Sequence, residues 1–166
     1  MPRSAWPASE LGRRLRPRRR NRSTLRPLHA NGKIDFEEEF HRSLNTPVIK
    51  DDILYVTDFA GLLHCLHAKT GRVNWNHDLF AACWGSPLLV DDKVYVGDED
   101  GDVLIFRHSA DKAIALPNGA PLAEPNLLNS VYTTPIVANN VLDIANKNTL
   151  YAIQTGAVRD TPKPSR

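Results

Sequence analysis

The chain repeats itself at a spacing of 40 residues, and that repeat limits the fold more than any other feature. Thr46, Pro47, Asp51, Asp52, Tyr55, Val56, Asp58 and Gly61 recur without gaps as Ser86, Pro87, Asp91, Asp92, Tyr95, Val96, Asp98 and Gly101. A third copy begins 48 residues later at Thr134, Pro135, Asn139 and Asn140, and runs one residue shorter to Ile153. A chain built this way folds as repeated units, each too small to bury its own apolar faces.

Each unit reads as a β-meander. Ser or Thr before Pro opens a short strand. Asp-Asp or Asn-Asn then supplies a tight turn, because Asx side chains tolerate left-handed backbone. A second strand follows, rich in β-branched and aromatic residues (Ile53 to Thr57, Val94 to Gly97). A Gly-containing turn at Ala60-Gly61 or Asp100-Gly101 leads into a third, Leu62 to Leu66 or Val103 to Phe106. In the first unit Arg72 to Asn76 adds a fourth. Ile53 and Tyr55 point one way, and Leu54 and Val56 the other. Strands apolar on both faces need cover on both sides, as the blades of a β-propeller provide. Helical periodicity is confined to a weak signal over Glu37 to Leu44.

The net charge of +2 hides an asymmetry. Residues 1 to 28 carry nine Arg, no Lys and one acid, Glu10, and contain no Val or Ile. Such a segment cannot bury enough apolar surface to offset the entropy of ordering it. Residues 1–32 are therefore expected to be a disordered Arg-rich segment, residues 33–157 to hold the blades (repeats near 46–79, 86–122 and 134–157), and 158–166 to be a flexible tail. The Arg run reads as an ordinary charged tail or a mis-assigned start rather than a nucleic-acid arm. No apolar stretch follows Arg13-Arg14, so no export signal is readable, and none is long enough to span a membrane.

Leu66-His67-Ala68-Lys69-Thr70-Gly71-Arg72-Val73-Asn74-Trp75 resembles the tryptophan-docking motif of PQQ-type (quinoprotein-like) propellers. Thr70, Gly71 and Trp75 match it, whereas Cys65, His67 and Arg72 stand where the family has Ala, Asp and Lys. The resemblance covers roughly residues 33 to 156 and is nearest in style to PQQ-binding-like repeat proteins of planctomycete-type bacteria. It implies that Trp75 inserts between blades over a Thr-Gly turn, and that His67 replaces the Asp bracing such a turn. The family also holds an outer-membrane assembly lipoprotein and quinoprotein alcohol dehydrogenases, and its members are usually periplasmic or in the cell envelope.

Several groups compete as chemical sites. The quinone site of that family uses a vicinal Cys pair, a Trp floor, calcium ligands and an Asp base. Cys65 and Cys83 are not adjacent, and Trp75 and Trp84 read as blade-docking and core residues, so PQQ is not expected. Asn31, Gly32, Lys33, Asp35 and Glu38 match the second half of an EF-hand loop, but Pro27 and His29 stand at its first two carboxylate positions. Calcium there is the weaker reading, against a solvated acidic loop. Asp98, Glu99, Asp100 and Asp102 offer four carboxylates in five residues, yet Asp-Gly sits where the meander needs a turn. His64 and His67 fall on opposite strand faces and are poor co-ligands for one metal.

The expected fold is all-β: an incomplete propeller of about three four-stranded blades. A closed ring takes roughly four to eight. Asp143, at the place of Tyr55 and Tyr95, should weaken the last blade. The expected function is a non-catalytic interaction or scaffold module, partnered by protein, by further blades or by itself. The alternatives are a fragment of a PQQ-dependent dehydrogenase, or a propeller segment of an outer-membrane assembly lipoprotein or a kinase-linked sensor.

Overall fold

A computed structural model describes residues 22–25 and 38–155, with side chains from His41 onward. Three antiparallel sheets follow one another along the chain. Blade one is β3 (Val48–Lys50), β4 (Ile53–Thr57), β5 (Leu62–His67) and β6 (Val73–Asp78). Blade two is β7 (Leu88–Val90), β8 (Lys93–Gly97) and β9 (Val103–Arg107), and blade three is β10 (Ile136–Ala138), β11 (Val141–Ala145) and β12 (Leu150–Ile153). Ahead of them β1 (Arg22–Leu25) pairs with β2 (Glu38–His41). The arrangement is that of an incomplete propeller.

The turn chemistry explains the meanders. Asp51, Asp52, Asp91, Asp92, Asn139 and Asn140 all have φ between 47° and 62°. Two successive left-handed residues make the hairpin turn that matches strand twist, and Asx residues adopt it at least cost. The Ser/Thr before each Pro links neighbouring blades. Thr46 N–H donates to Ser86 Oγ (2.8 Å), and Ser86 N–H donates to Thr134 Oγ1 (2.8 Å).

Three expectations need correction. Disorder through residue 32 does not hold for Arg22–Leu25, whose backbone is paired with β2. A composition argument about burial is blind to such pairing. The weak helical period at Glu37 to Leu44 gives way to the strand β2. Only blade one has four strands. In blade two the chain leaves β9 for a short helix α1 (Lys112–Ala115), then returns alongside β9 as an irregular segment. Val103 N–H donates to Pro125 O and Ile105 N–H to Ala123 O. Pro121 and Pro125 lack the N–H a regular strand would need there.

The larger core lies between blades one and two. Tyr55, Leu63, Cys65 and Trp75 are buried with Val94, Val96, Leu104 and Phe106, and α1 adds Ala115, with Leu116 just after it. A smaller cluster of Val103, Val131 and Ile144 joins blade two to blade three.

Candidate functional site

The junction of blades one and two is built around Trp75. The ring is buried, 5.9 Å from Tyr55 and 6.0 Å from Phe106. Its Nε1–H donates to Ser109 O in blade two at 2.9 Å. Ser109 N–H donates to the Tyr55 hydroxyl oxygen (3.0 Å), which also lies 3.0 Å from His108 Nδ1. The other ring nitrogen of His108 faces Asp51 at 3.4 Å. Blade two thus offers Trp75 a backbone carbonyl after β9, in place of a Thr-Gly turn.

Thr70 and Gly71 form the turn before β6. Gly71 has φ +71°, and Gly71 N–H donates to His67 O at 2.8 Å. His67 N–H donates to Arg72 O at 2.8 Å. His67 Nδ1 is buried and has no hydrogen-bond partner among the described residues, so backbone bonds hold this turn rather than the ring. Cys65 lies inside the junction. Burial pushes its thiol up to about 11 and that of Cys83 up to about 12, so both stay protonated and unreactive at neutral pH.

Sequence reasoning noticed Asp58 and Asp98 as repeat matches but not as buried groups. Both are almost fully buried, each bracing its Gly turn. Asp58 Oδ1 accepts from Ala60 and Leu62 N–H, and Asp98 Oδ1 from Asp100 and Asp102 N–H, all near 3.0 Å. Their second oxygens differ. Asp58 Oδ2 accepts from His41 N–H (3.1 Å) and lies 3.1 Å from His41 Nδ1 and 3.3 Å from His64 Nε2. Burial pushes Asp58 up, but His64, the backbone N–H groups and His41 together hold it well below the usual range. Asp98 Oδ2 has no partner among the described residues. Burial pushes Asp98 up to about 6, against the N–H groups of Asp102 and Asp100, which hold it down while their carboxylates push it up. The Asp three residues before Gly, shared by the first two repeats and replaced by Asn146 in the third, was the signal available.

The remaining candidates separate. Asn31, Lys33 and Asp35 lie outside the described residues, and Glu38 opens β2. Asp98 turns inward and Asp102 Oδ1 accepts from Asn126 at 2.8 Å, so the acidic turn spends carboxylates on its own fold. His64 is buried beside Asp58, away from His67. Trp84 is not a core residue. It stands exposed on the linker after blade one, edge-on to Phe59. Cys65 and Cys83 are buried and free, Trp75 is enclosed between blades, and among the described residues no three potential metal ligands converge.

Blade three ends the described arc. Val48, Tyr55 and Cys65 lie abreast on the face of blade one that meets blade two. Their equivalents are Ile136, Asp143 and Ala152. Ile136 is 57% exposed and Leu150, on the same face across β11, 67%. Asp143 lies half-buried where Tyr55 anchors the first junction.

A family model described as the outer membrane protein assembly factor BamB matches residues 18–161. The chain belongs to this BamB family of PQQ-like propellers. It is 32% identical over 69 residues to BamB of Shewanella oneidensis, covering 41% of this chain and 18% of that protein. The crystal structure of BamB from Moraxella catarrhalis superposes with a TM-score of 0.59 at 23% identity, over 74% of this chain and 37% of that one. Quinohemoprotein alcohol dehydrogenase from Comamonas testosteroni gives 0.51 at 24% identity, over 63% and 17%. Those two likenesses establish the fold. The chain thus spans under a fifth of the curated relative and just over a third of the BamB structure. The family match begins inside the Arg-rich segment, earlier than the expected boundary at residue 33.

Proposed function

We propose that this chain is a non-catalytic interaction module of the BamB type, an arc of blades whose faces and loops bind protein and whose open side is completed by further blades. The uncovered face of blade three carries this reading. Ile136 and Leu150 stand exposed where Val48 and its neighbours are covered in blade one. Left bare, such a face costs solubility, and covered, it joins the chain to something else. The family match favours a role in outer membrane assembly, and with it a place in the cell envelope. Among the described residues, no helix is long and apolar enough to cross a membrane.

The competing quinoprotein reading is tested directly. PQQ and calcium are titrated into the full chain, followed by a primary alcohol and a dye acceptor. The expected result is neither a shift of the quinone absorbance nor turnover. Turnover above the protein-free rate would return the chain to the dehydrogenases.

A further inference from the structure

The linkers between blades carry a second repeated pattern. Counted from the proline that opens each blade, Phe80 and Leu128 are equivalent, and so are Leu44, Trp84 and Tyr132. Phe80 and Leu128 have φ of +62° and +63° and are 86% and 92% exposed. Each is held by the residue two before it. Phe80 N–H donates to Asp78 Oδ1 (2.8 Å) and Leu128 N–H to Asn126 Oδ1 (2.7 Å). Left-handed backbone disfavours every side chain except Gly, Asn and Asp, and bulky apolar ones most. The fold gains nothing from a bare Phe or Leu in that conformation, and here the arrangement occurs twice. Repeated strain with a bare side chain points to a use outside the fold.

Leu44, Trp84 and Tyr132 are exposed along the same linkers. Phe59 lies between the Arg42 guanidinium (4.8 Å) and the Trp84 ring (4.5 Å), and Tyr132 lies 5.7 Å beyond Trp84. Trp84 Nε1–H and the Tyr132 hydroxyl both donate to the Glu99 carboxylate, at 3.5 and 3.3 Å. The aromatic row is thus braced, and braced aromatic side chains are the usual anchors of protein interfaces. Arg42 apart, its exposed charged neighbours are the acids Asp78, Glu99 and Asp100. They oppose an anionic lipid surface and favour Lys or Arg.

We infer that these linkers form a docking ridge for a segment of a partner protein that carries large apolar side chains beside Lys or Arg. The ridge deepens, and rests on, the interaction-module reading above.

The test selects 12-residue phage-displayed peptides on the full chain and measures the enriched ones by fluorescence anisotropy. The expected peptides contain two or more large apolar residues and a Lys or Arg. The double variant Phe80→Asn with Leu128→Asn should weaken them at least about tenfold, and added salt should weaken them further. Because Asn suits left-handed backbone, the melting temperature of that variant should hold or rise. No enrichment, binding indifferent to the variant, or a fall in its melting temperature overturns the ridge. So does co-sedimentation of the wild-type chain with phosphatidylcholine–phosphatidylglycerol vesicles that the variant abolishes, since that assigns the ridge to lipid. Peptides that bind but ignore the variant sink the ridge and leave the module reading standing, whereas turnover with PQQ sinks the module reading itself.

Discussion

Replacing Trp75 with alanine is expected to lower folding stability by about 3–5 kcal/mol, a large share of what a small domain has. Three losses combine. The ring is buried against Tyr55 and Phe106, so its removal leaves a cavity between blades. Ser109 O loses its indole donor and keeps only the Cys65 thiol at 3.7 Å and a long Tyr55 contact at 3.4 Å. The core shared by blades one and two loses its largest side chain. Trp75→Phe keeps most of the burial and isolates the hydrogen bond, so it should cost roughly 1–2 kcal/mol. Trp84→Ala serves as the control, because that ring is exposed. Urea denaturation followed by circular dichroism compares them. Equal costs for Trp75→Ala and Trp84→Ala would mean that Trp75 does not hold the blades together.

The second large effect is a pH dependence with its origin in Asp98. The folded carboxyl sits at about 6 against an ordinary value of 3.8. The folded state therefore holds a proton that the unfolded state releases. The sign follows: Asp98 costs nothing below about pH 4, and stability falls as pH rises from there through about 6. The groups facing it are Asp100 and Asp102 on its own turn and the protonated Cys83 thiol on the linker, and none is positive. By neutral pH the loss is on the order of 3 kcal/mol. Asp98→Asn removes the charge and keeps an oxygen for the two turn N–H groups. Its melting temperature should exceed wild type at pH 7.5 and converge with it near pH 4.5. Asp58 runs the other way. Its lowered value means that its contribution is present above the ordinary carboxylate range and lost in acid, so Asp58→Asn should destabilise at neutral pH. Melts of the three proteins from pH 4 to 8 check both slopes. A wild type and Asp98→Asn pair that differ by the same amount at every pH would remove the account of Asp98.

The contrast between these two carboxylates shows what a sequence makes legible. The paired turn residues Asp51-Asp52, Asp91-Asp92 and Asn139-Asn140 could be read directly, because φ above zero at both positions demands such residues. The strands followed from β-branched pairs apolar on both faces. The burial of Asp58 and Asp98 was hidden, because Asp near Gly reads equally well as an exposed turn. Their difference was harder still. It depends on His64 becoming Leu104 one period later, a change that means nothing until strand β5 is set against the turn. The irregular return of blade two was missed because it depends on how residues 107–121 fold locally. Trp84 was misplaced because aromatic residues are usually buried, and only its linker position tells otherwise. Asp143 stood out in the sequence as a charge at a position held elsewhere by Tyr, but that reading spoke of a weaker blade and not of the exposed face on which the residue lies.

That open face is the centre of the account, and one measurement addresses it. Sedimentation velocity of the full chain over rising concentration reads the solution mass directly. With no other blade supplied, a second copy is the available cover for Ile136 and Leu150. The chain should associate reversibly into multiples of 18.5 kDa, and less so when Ile136 and Leu150 are both replaced by lysine. A folded chain that stays at 18.5 kDa at every concentration, with the lysine variant equally folded, would contradict it.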